Sequence, residues 1–434
     1  VSIREPDLPA LAPVADATDA TGLEVLAHNK PQKLPPLWRN RNFALLWGGQ
    51  FVSSVGSQVS LIAFPVLMYA LTHSAVQTGL IGALRGLPYL VLMLPAGALV
   101  DRMNRKRVMI VCDVGRAIAL GSIPFALALR HLSIAQLYLV TLIEGTLMVF
   151  FTLAETASIP HVVPAEQLTA AVAQSQALDS TAVMVGPALE GLFYSVSSAF
   201  AFLADAISYA VSVVSLLFIH QQFQEQREHS KITPATLWRE IREGIAWLWR
   251  APVLRFLAIL TSGLMISSFG YSLIIIVLAQ QEHVSSVELG LIFGAGGVGA
   301  IIGSLLLGFL QKRLPFPHMI IGSTWIWALS WLLFAVAFNP LLLAVANMLN
   351  YIVVPIYIGA QFSYRLSMIP DQYQGRVNAV FRLIAFGSQP IGLALTGLLI
   401  QLIGPISAVL ALSVPLFALA IAATMNRHLR AVYR

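Results

Sequence analysis

The sequence predicts an all-α membrane protein: twelve transmembrane helices in two six-helix bundles. Three observations carry this. The 434-residue chain is 57% hydrophobic and only 11% charged, with a mean hydropathy of +0.78, whereas a soluble domain carries about a quarter charged residues. Its apolar residues gather into runs of about 20 or more, the length that crosses a ~30 Å hydrocarbon layer. Its charges are sorted: of the 26 Lys and Arg, all but Arg85, Arg116, Arg130 and Arg382 fall in the two tails or in every second gap between the runs. A chain threaded back and forth through a bilayer keeps Lys and Arg on the cytoplasmic side.

Residues 1–36 are polar, rich in Ala, Pro and Asp, and lack a signal-peptide apolar region, so they read as a disordered cytoplasmic tail. An N-terminal bundle over 37–220 holds runs near 43–70, 76–99, 108–129, 134–157, 168–194 and 199–219. Each must be helical, because backbone groups in lipid need partners within their own segment. The longest polar interruption, His220 to Arg250, defines a linker at 221–252. Within it Leu237, Ile241, Ile245, Leu248 and Trp249 have the spacing of an amphipathic helix. That helix is either a bridge on the inner membrane surface or a bare connection. A C-terminal bundle over 253–426 holds runs near 254–279, 287–310, 318–338, 341–366, 375–402 and 405–425, and 427–434 forms a cationic cytoplasmic tail. An even number of spans returns both termini to one side. The cationic gaps (Arg102 to Arg107, Arg227 to Arg255, Lys312 and Arg313, Arg365 and Arg376) make that side cytoplasmic, although the gap from Ser158 to Gln167 holds no Lys or Arg.

The net charge of +6 and pI near 9.5 fit loops facing anionic lipid headgroups better than a nucleic-acid surface. One cysteine, Cys112, lies inside the third run, which excludes an internal disulfide and argues against a thiolate metal site. The chain has no Gly-x-x-x-x-Gly-Lys-Ser/Thr loop, and none of its nine histidines forms a His-x-x-x-His pair, so neither nucleotide hydrolysis nor zinc-protease chemistry is expected. The halves resemble each other at an offset of about 205 residues: Ile159-Pro160 matches Ile369-Pro370, and Gly186-Pro187 with Gly191 matches Gln389-Pro390-Ile391-Gly392 with Gly397. Those Gly/Pro clusters are expected to break the fifth and eleventh helices. Such repeats imply facing bundles with a substrate site near the membrane midplane.

The most specific local signal is Gly97-Ala98-Leu99-Val100-Asp101-Arg102-Met103-Asn104-Arg105-Lys106-Arg107, between the second and third runs. Gly97 would allow close helix approach, and Asp101 at the membrane edge needs a counter-charge such as a helix N-terminus. This stretch resembles the signature loop of the major facilitator superfamily, with Asn104 in place of a second glycine. Phe150-Phe151, Ala157 to Pro160, Val163 to Leu168, Asp205 to Ser208 and Gly375-Arg376-Val377 resemble that superfamily's drug and siderophore exporters, macrolide pumps among them. The resemblance implies that Asp101 caps the eleventh helix near Gly375 and Arg376, with Arg102 and Arg105 in the same network and Asp371 a further acidic member, locking the cytoplasmic gate. It also implies an exporter motif at Gly186, Pro187 and Gly191, where Glu190 stands in place of a glycine. A carboxylate there must face a polar cavity or carry a proton.

Charges inside spans cost ~3 kcal/mol or more each. Asp113 and Arg116, three apart on one helix, are expected to pair locally, and Asp205 to be structural. Polar stripes mark helix faces that avoid lipid: Gln50, Ser54 and Gln58 on the first helix; Thr141, Glu144 and Glu155 on the fourth; Tyr271 on the seventh; Asn350, Tyr357 and Gln361 on the tenth. Helices one, four, seven and ten are the set that lines the cavity in the resembled family, so these residues are substrate-cavity candidates; interhelical bonding is the alternative. Glu144, mid-helix on a polar stripe, is the first proton-coupling candidate, followed by Asp179 and Glu190, because burial favours the neutral carboxyl. Arg85 and Arg382 could instead hold an anionic substrate.

The expectation is a proton-coupled secondary exporter of an amphipathic small molecule, a drug or a siderophore, in the bacterial inner membrane. A lysophospholipid flippase or importer of the same fold, or a membrane sensor or scaffold that does not transport, are the alternatives. The expected partners are a small-molecule substrate, protons and the bilayer, with no nucleic acid, metal or cofactor; a monomer is expected.

Overall fold

The computed structural model describes residues 36–100, 102–221, 223 and 234–433. The expected N-terminal tail, save Pro36, and the gate residue Asp101 lie outside the described residues. At Asp179, Asp371 and Gly375 only the backbone path is described.

All regular elements among the described residues are helices. In the first half, α1 spans Arg41–Thr72, α2 Ala75–Val100, α3 Arg105–Ala128, α4 Ile134–Val162, α5 Leu168–Val196 and α6 Ser198–Leu217. The linker forms α7, Pro234–Arg250. In the second half, α8 (Pro252–Ser268) and α9 (Tyr271–Gln281) share one span, followed by α10 (Ser286–Leu310), α11 (Phe316–Leu332) and α12 (Pro340–Met368). The eleventh span comprises α13 (Asp371–Phe386) and α14 (Gln389–Ile403), and α15 (Pro405–Met425) is the last. Among the described residues, eleven stretches are long and apolar enough to cross a membrane. The predicted fifth span is α5, whose apolar part, Thr181–Val196, is shorter.

Local chemistry sets the helix ends. The Asn40 side chain accepts from the Asn42 and Phe43 amides, and Ser285 with Glu288 forms a reciprocal capping box at the start of α10. His73, Arg130, His283 and Gly404 close helices with positive φ between 48° and 82°, and all four lie in returns at the end of the molecule opposite the termini. That end is called here the far end.

Two sequence expectations about breaks divide. The eleventh span does break, at Gly387 and Ser388. The fifth does not: α5 runs unbroken through Pro187, because neighbouring helices can support the backbone around a proline inside a span. The seventh span breaks at Phe269 and Gly270, which the sequence pattern did not reveal.

Helices α1 to α6 pack among themselves, chiefly α1 on α6, α3 on α6, α2 on α4 and α3 on α4. In the second half α10 packs on α12, α11 on α12 and α15, and α8 on α13, α14 and α15. The halves meet chiefly along two seams, α2 with α14 and α5 with α10, with α9 also touching α1 and α2. Both seams are tight toward the far end. A Cβ on Gly290 would come within 2.8 Å of the Gly191 Cα and 2.9 Å of the Pro187 carbonyl, and one on Gly79 within 2.7 Å of the Leu393 carbonyl. Toward the termini the seams part. A Cβ on Gly97 or on Gly308 would meet nothing within 4 Å, so the close approach expected at Gly97 is not made in this conformation. The molecule is closed at its far end and cleft at the end that carries its termini.

Gly290→Val is therefore expected to hold the far end open. A cysteine placed at Ser286, beside this seam, should then react faster with an impermeant maleimide; an unchanged rate would mean the seam is not the closing contact.

Candidate functional site

Five ionisable side chains from four helices of the first half converge, four of them buried and Arg85 10% exposed. Arg85 of α2 grips Glu144 of α4 through Nε at 2.8 Å and Nη2 at 3.1 Å. Arg116 of α3 reaches the same carboxylate at 3.1 Å. Arg116 also bonds Asp113 at 3.4 Å, the Ser57 hydroxyl at 3.2 Å and the Tyr209 hydroxyl at 2.5 Å. Its guanidinium lies over the Tyr209 ring, 3.9 Å from the centroid. Asp205 of α6 accepts from Ser208 at 3.1 Å and lies beside Ser60. Glu144, Asp113 and Asp205 are fully buried and Arg116 is 3% exposed. One oxygen each of Asp113 and Asp205 lacks a hydrogen-bond partner.

The expected local pair of Asp113 and Arg116 thus forms, inside a wider network. Sequence reasoning treated Arg116 as local; nothing in a one-dimensional pattern aligns it with Glu144 across two helices. Asp205 is likewise central, packed against α1 where Gly56 leaves it room. Arg85, one of the two proposed anion holders, has Glu144 as its counter-ion.

Other candidates have distinct surroundings. The Gln50 amide donates to Ser212 at 3.4 Å and lines a pocket with Phe43, Trp47, Glu155, Ser175 and Leu178 between α1, α4 and α5. Ser54 and Gln58 are half-buried on the same helix, and the α5 backbone at Gly186 lies against Gln58. The Thr141 hydroxyl bonds its own helix at Leu137. In the second half the Gln361 amide donates to Thr261 at 2.6 Å and to Tyr357 at 3.3 Å, while Thr261 and Tyr357 share a bond of 2.8 Å. Asn350 donates to Ser330, and Tyr271 pairs with Tyr351. These polar groups bond between helices, which satisfies them without any ligand. Arg382 on α13 is exposed. Glu190 is 1% exposed in the far-end seam, beside the Gly191–Gly290 contact, and neither carboxylate oxygen has a partner.

At the termini-bearing end, Arg105 donates to the carbonyls of Ala157, at 2.7 Å, and Phe223. Arg376 bonds Glu243 of the linker helix at 2.7 Å, and Gly244 lies against the Arg376 backbone. Helix α7 therefore docks on α13 and keeps Ile245 and Trp249 exposed. Arg365, grouped by sequence with the loop cations, instead lies buried in the last turn of α12. No cluster of metal-binding side chains occurs among the described residues.

Comparison with known proteins agrees with this architecture. The chain is 28% identical over 374 residues to macrolide efflux protein A of Streptococcus pyogenes, covering 83% of this chain and 90% of that protein. It is 25% identical over 401 residues to the multidrug efflux pump Tap of Mycolicibacterium fortuitum, covering 89% and 95%. Among solved structures, the nucleoside transporter NupG superposes with a TM-score of 0.71 at 15% identity over 88% of this chain and 98% of that one. A bacterial homologue of the lysosomal transporter Spinster, inward-facing and unoccupied, superposes with a TM-score of 0.70 at 13% identity, covering 91% and 98%. Those likenesses carry the fold. The sequence profile of the transmembrane secretion effectors matches residues 32–433, and the chain belongs to that family of major facilitator transporters.

Proposed function

We propose that this transporter exports an amphipathic small molecule in exchange for protons, by alternating access between the far end and the cleft. The observation that carries the coupling is the buried cluster around Glu144. It sets three carboxylates, Glu144, Asp113 and Asp205, against two guanidiniums, Arg85 and Arg116. Charge in a low-dielectric interior is tolerated when it balances. Three against two balances when the cluster carries one proton. A change of packing around it, such as the bundles rocking apart on the other side, then changes the cost of that proton and links its uptake and release to the motion.

Glu144 keeps its place as the residue whose charge holds the two guanidiniums, and Glu190 is a second proton site whose unpartnered burial requires the neutral acid while the far end is closed. Asp179 remains a candidate on the same helix. Gln50, Ser54, Gln58, Thr141, Tyr271, Asn350, Tyr357, Gln361 and Arg382 are proposed to border the path. We read the termini-bearing end as cytoplasmic, from the Lys and Arg sorting. The names of the efflux relatives support export and a macrolide as the first substrate to try.

The test is uptake of radiolabelled erythromycin into everted vesicles with an acidified lumen. Uptake that collapses when nigericin dissipates the pH gradient supports the proposal. Uptake indifferent to the gradient would instead favour a flippase or facilitator. For the gate, Asp101→Asn is expected to slow turnover severalfold with normal amounts of folded protein; wild-type flux from that variant would remove Asp101 from the gate.

A further inference from the structure

Arg365 poses a problem that the coupling cluster does not solve. It sits in the last turn of α12 and is 5% exposed. Its Nε and Nη1 are buried with no acceptor. Its guanidinium lies 3.9 Å from the centroid of the Phe381 ring and 5.6 Å from that of Phe362. The charged side chain whose field acts on it is another cation, Arg382, one residue beyond Phe381. Neither arginine makes an ion pair among the described residues.

Two ordinary explanations fail. An arginine near a membrane surface can extend its head into water, but a 5% exposed side chain has not done so. Stacking on Phe381 recovers about 2 kcal/mol and only part of the desolvation cost of several kcal/mol for a buried ion. What is missing is negative charge.

The surroundings show where it can come from. Helix α13 packs on α7 and α8, leaving the seam with α2 to α14. It therefore forms part of the second-half wall where the bundles part. Arg382, exposed within the first third of the eleventh span (Arg376–Ile403), would cost up to ~3 kcal/mol against lipid, which puts its open side on the cleft. A guanidinium is a planar fork that matches a carboxylate or a phosphate in two parallel bonds. Phe381 is fully buried beneath the guanidinium, and Phe362, 48% exposed, offers apolar surface next to it.

We propose that Arg365 and Arg382 form an anion site on the second-half wall of the cleft, which takes the carboxylate or phosphate headgroup of an amphiphile while the Phe362 ring meets its adjoining apolar part. The role of this site rests on the transporter reading, but its occupancy is an equilibrium property that needs no gradient. The headgroup has two possible sources, a transported amphiphile and an anionic lipid.

The experiment titrates the full chain in nanodiscs of pure phosphatidylcholine with decyl phosphate, using decanol as the neutral counterpart, and follows the heat of binding. Decyl phosphate is expected to bind saturably and decanol not to. Arg382→Gln, a change at an exposed side chain, should weaken decyl phosphate about tenfold, or about 1.4 kcal/mol. Arg365→Lys, which keeps the charge and loses the planar fork, should weaken it as well, and Glu144→Gln should leave it unchanged. In a second arm the discs contain phosphatidylglycerol and retained lipid is measured by native mass spectrometry. Phosphatidylglycerol that is retained by the wild type and lost in Arg382→Gln supports the site and assigns it to lipid. Decyl phosphate affinity equal in wild type, Arg382→Gln and Arg365→Lys, with no retained lipid, overturns it. Erythromycin uptake by the wild type that ignores the pH gradient, with this titration as expected, would overturn the coupling proposal alone.

Discussion

Arg116→Leu is expected to remove most of the folded protein. The guanidinium pairs with Glu144 and Asp113 at once and bonds Ser57 and Tyr209. Leucine would leave Asp113, fully buried, without its ion-pair partner, and leave Glu144 to Arg85 alone. Removing one member of a buried ion pair costs about 3–5 kcal/mol, a large share of the 5–15 kcal/mol that holds a typical protein together. Fluorescence-detected gel filtration of detergent extracts should show a loss of the monodisperse peak. Adding Asp113→Asn removes the orphaned charge and should recover part of it. A single variant as abundant and thermostable as the wild type would show that the cluster is not what holds α2, α3, α4 and α6 in place.

Glu144→Gln is expected to abolish proton-coupled exchange. The amide keeps the shape and one acceptor oxygen, so contacts to Arg85 and Arg116 survive in weaker form, while the balance changes. Two guanidiniums then face only Asp113 and Asp205, which become the counter-ions and have no reason to hold an extra proton. Erythromycin uptake into everted vesicles should fall to the level of vesicles lacking the protein and lose its dependence on pH. Because the second half is untouched, decyl phosphate binding should persist. Uptake with the wild-type pH dependence would remove Glu144 from the mechanism.

The fold was legible because membrane insertion writes itself locally. Apolar runs and sorted cations mark each span whatever it packs against, and the caps at Asn40 and Ser285 follow from neighbouring residues. The break at Gly270 was not legible: nearby Thr396 belongs to α14, far away in sequence. The site was legible by residue and not by partnership. Glu144 stood out on a polar stripe and Arg85 as a charge in a span, but their contact joins α2 to α4. Asp205 reads from sequence as structural, and its place facing α1 across Gly56, within reach of the Arg116 charge, is set by helices distant in sequence. Arg365 was hidden by its position, since three residues from a helix end a cation reads as a loop charge. Glu190 is the converse case. The departure from the glycine pattern was visible, and the structure adds that the carboxylate is sealed in the seam with neither oxygen bonded.

On the proposed mechanism, protonation opens the two ends in turn. Electron–electron resonance distances test it most directly, measured on full-length protein in nanodiscs with Cys112 replaced by serine. One spin-label pair at Gly97 and Gly308 spans the cleft, and another at Ser74 and Gln401, which touch in this conformation, spans the far end. Between alkaline and acidic buffer the two distances should change in opposite directions, one shortening as the other lengthens. Distances that stay fixed in both buffers, or that lengthen together, would rule out proton-driven alternation of the two ends.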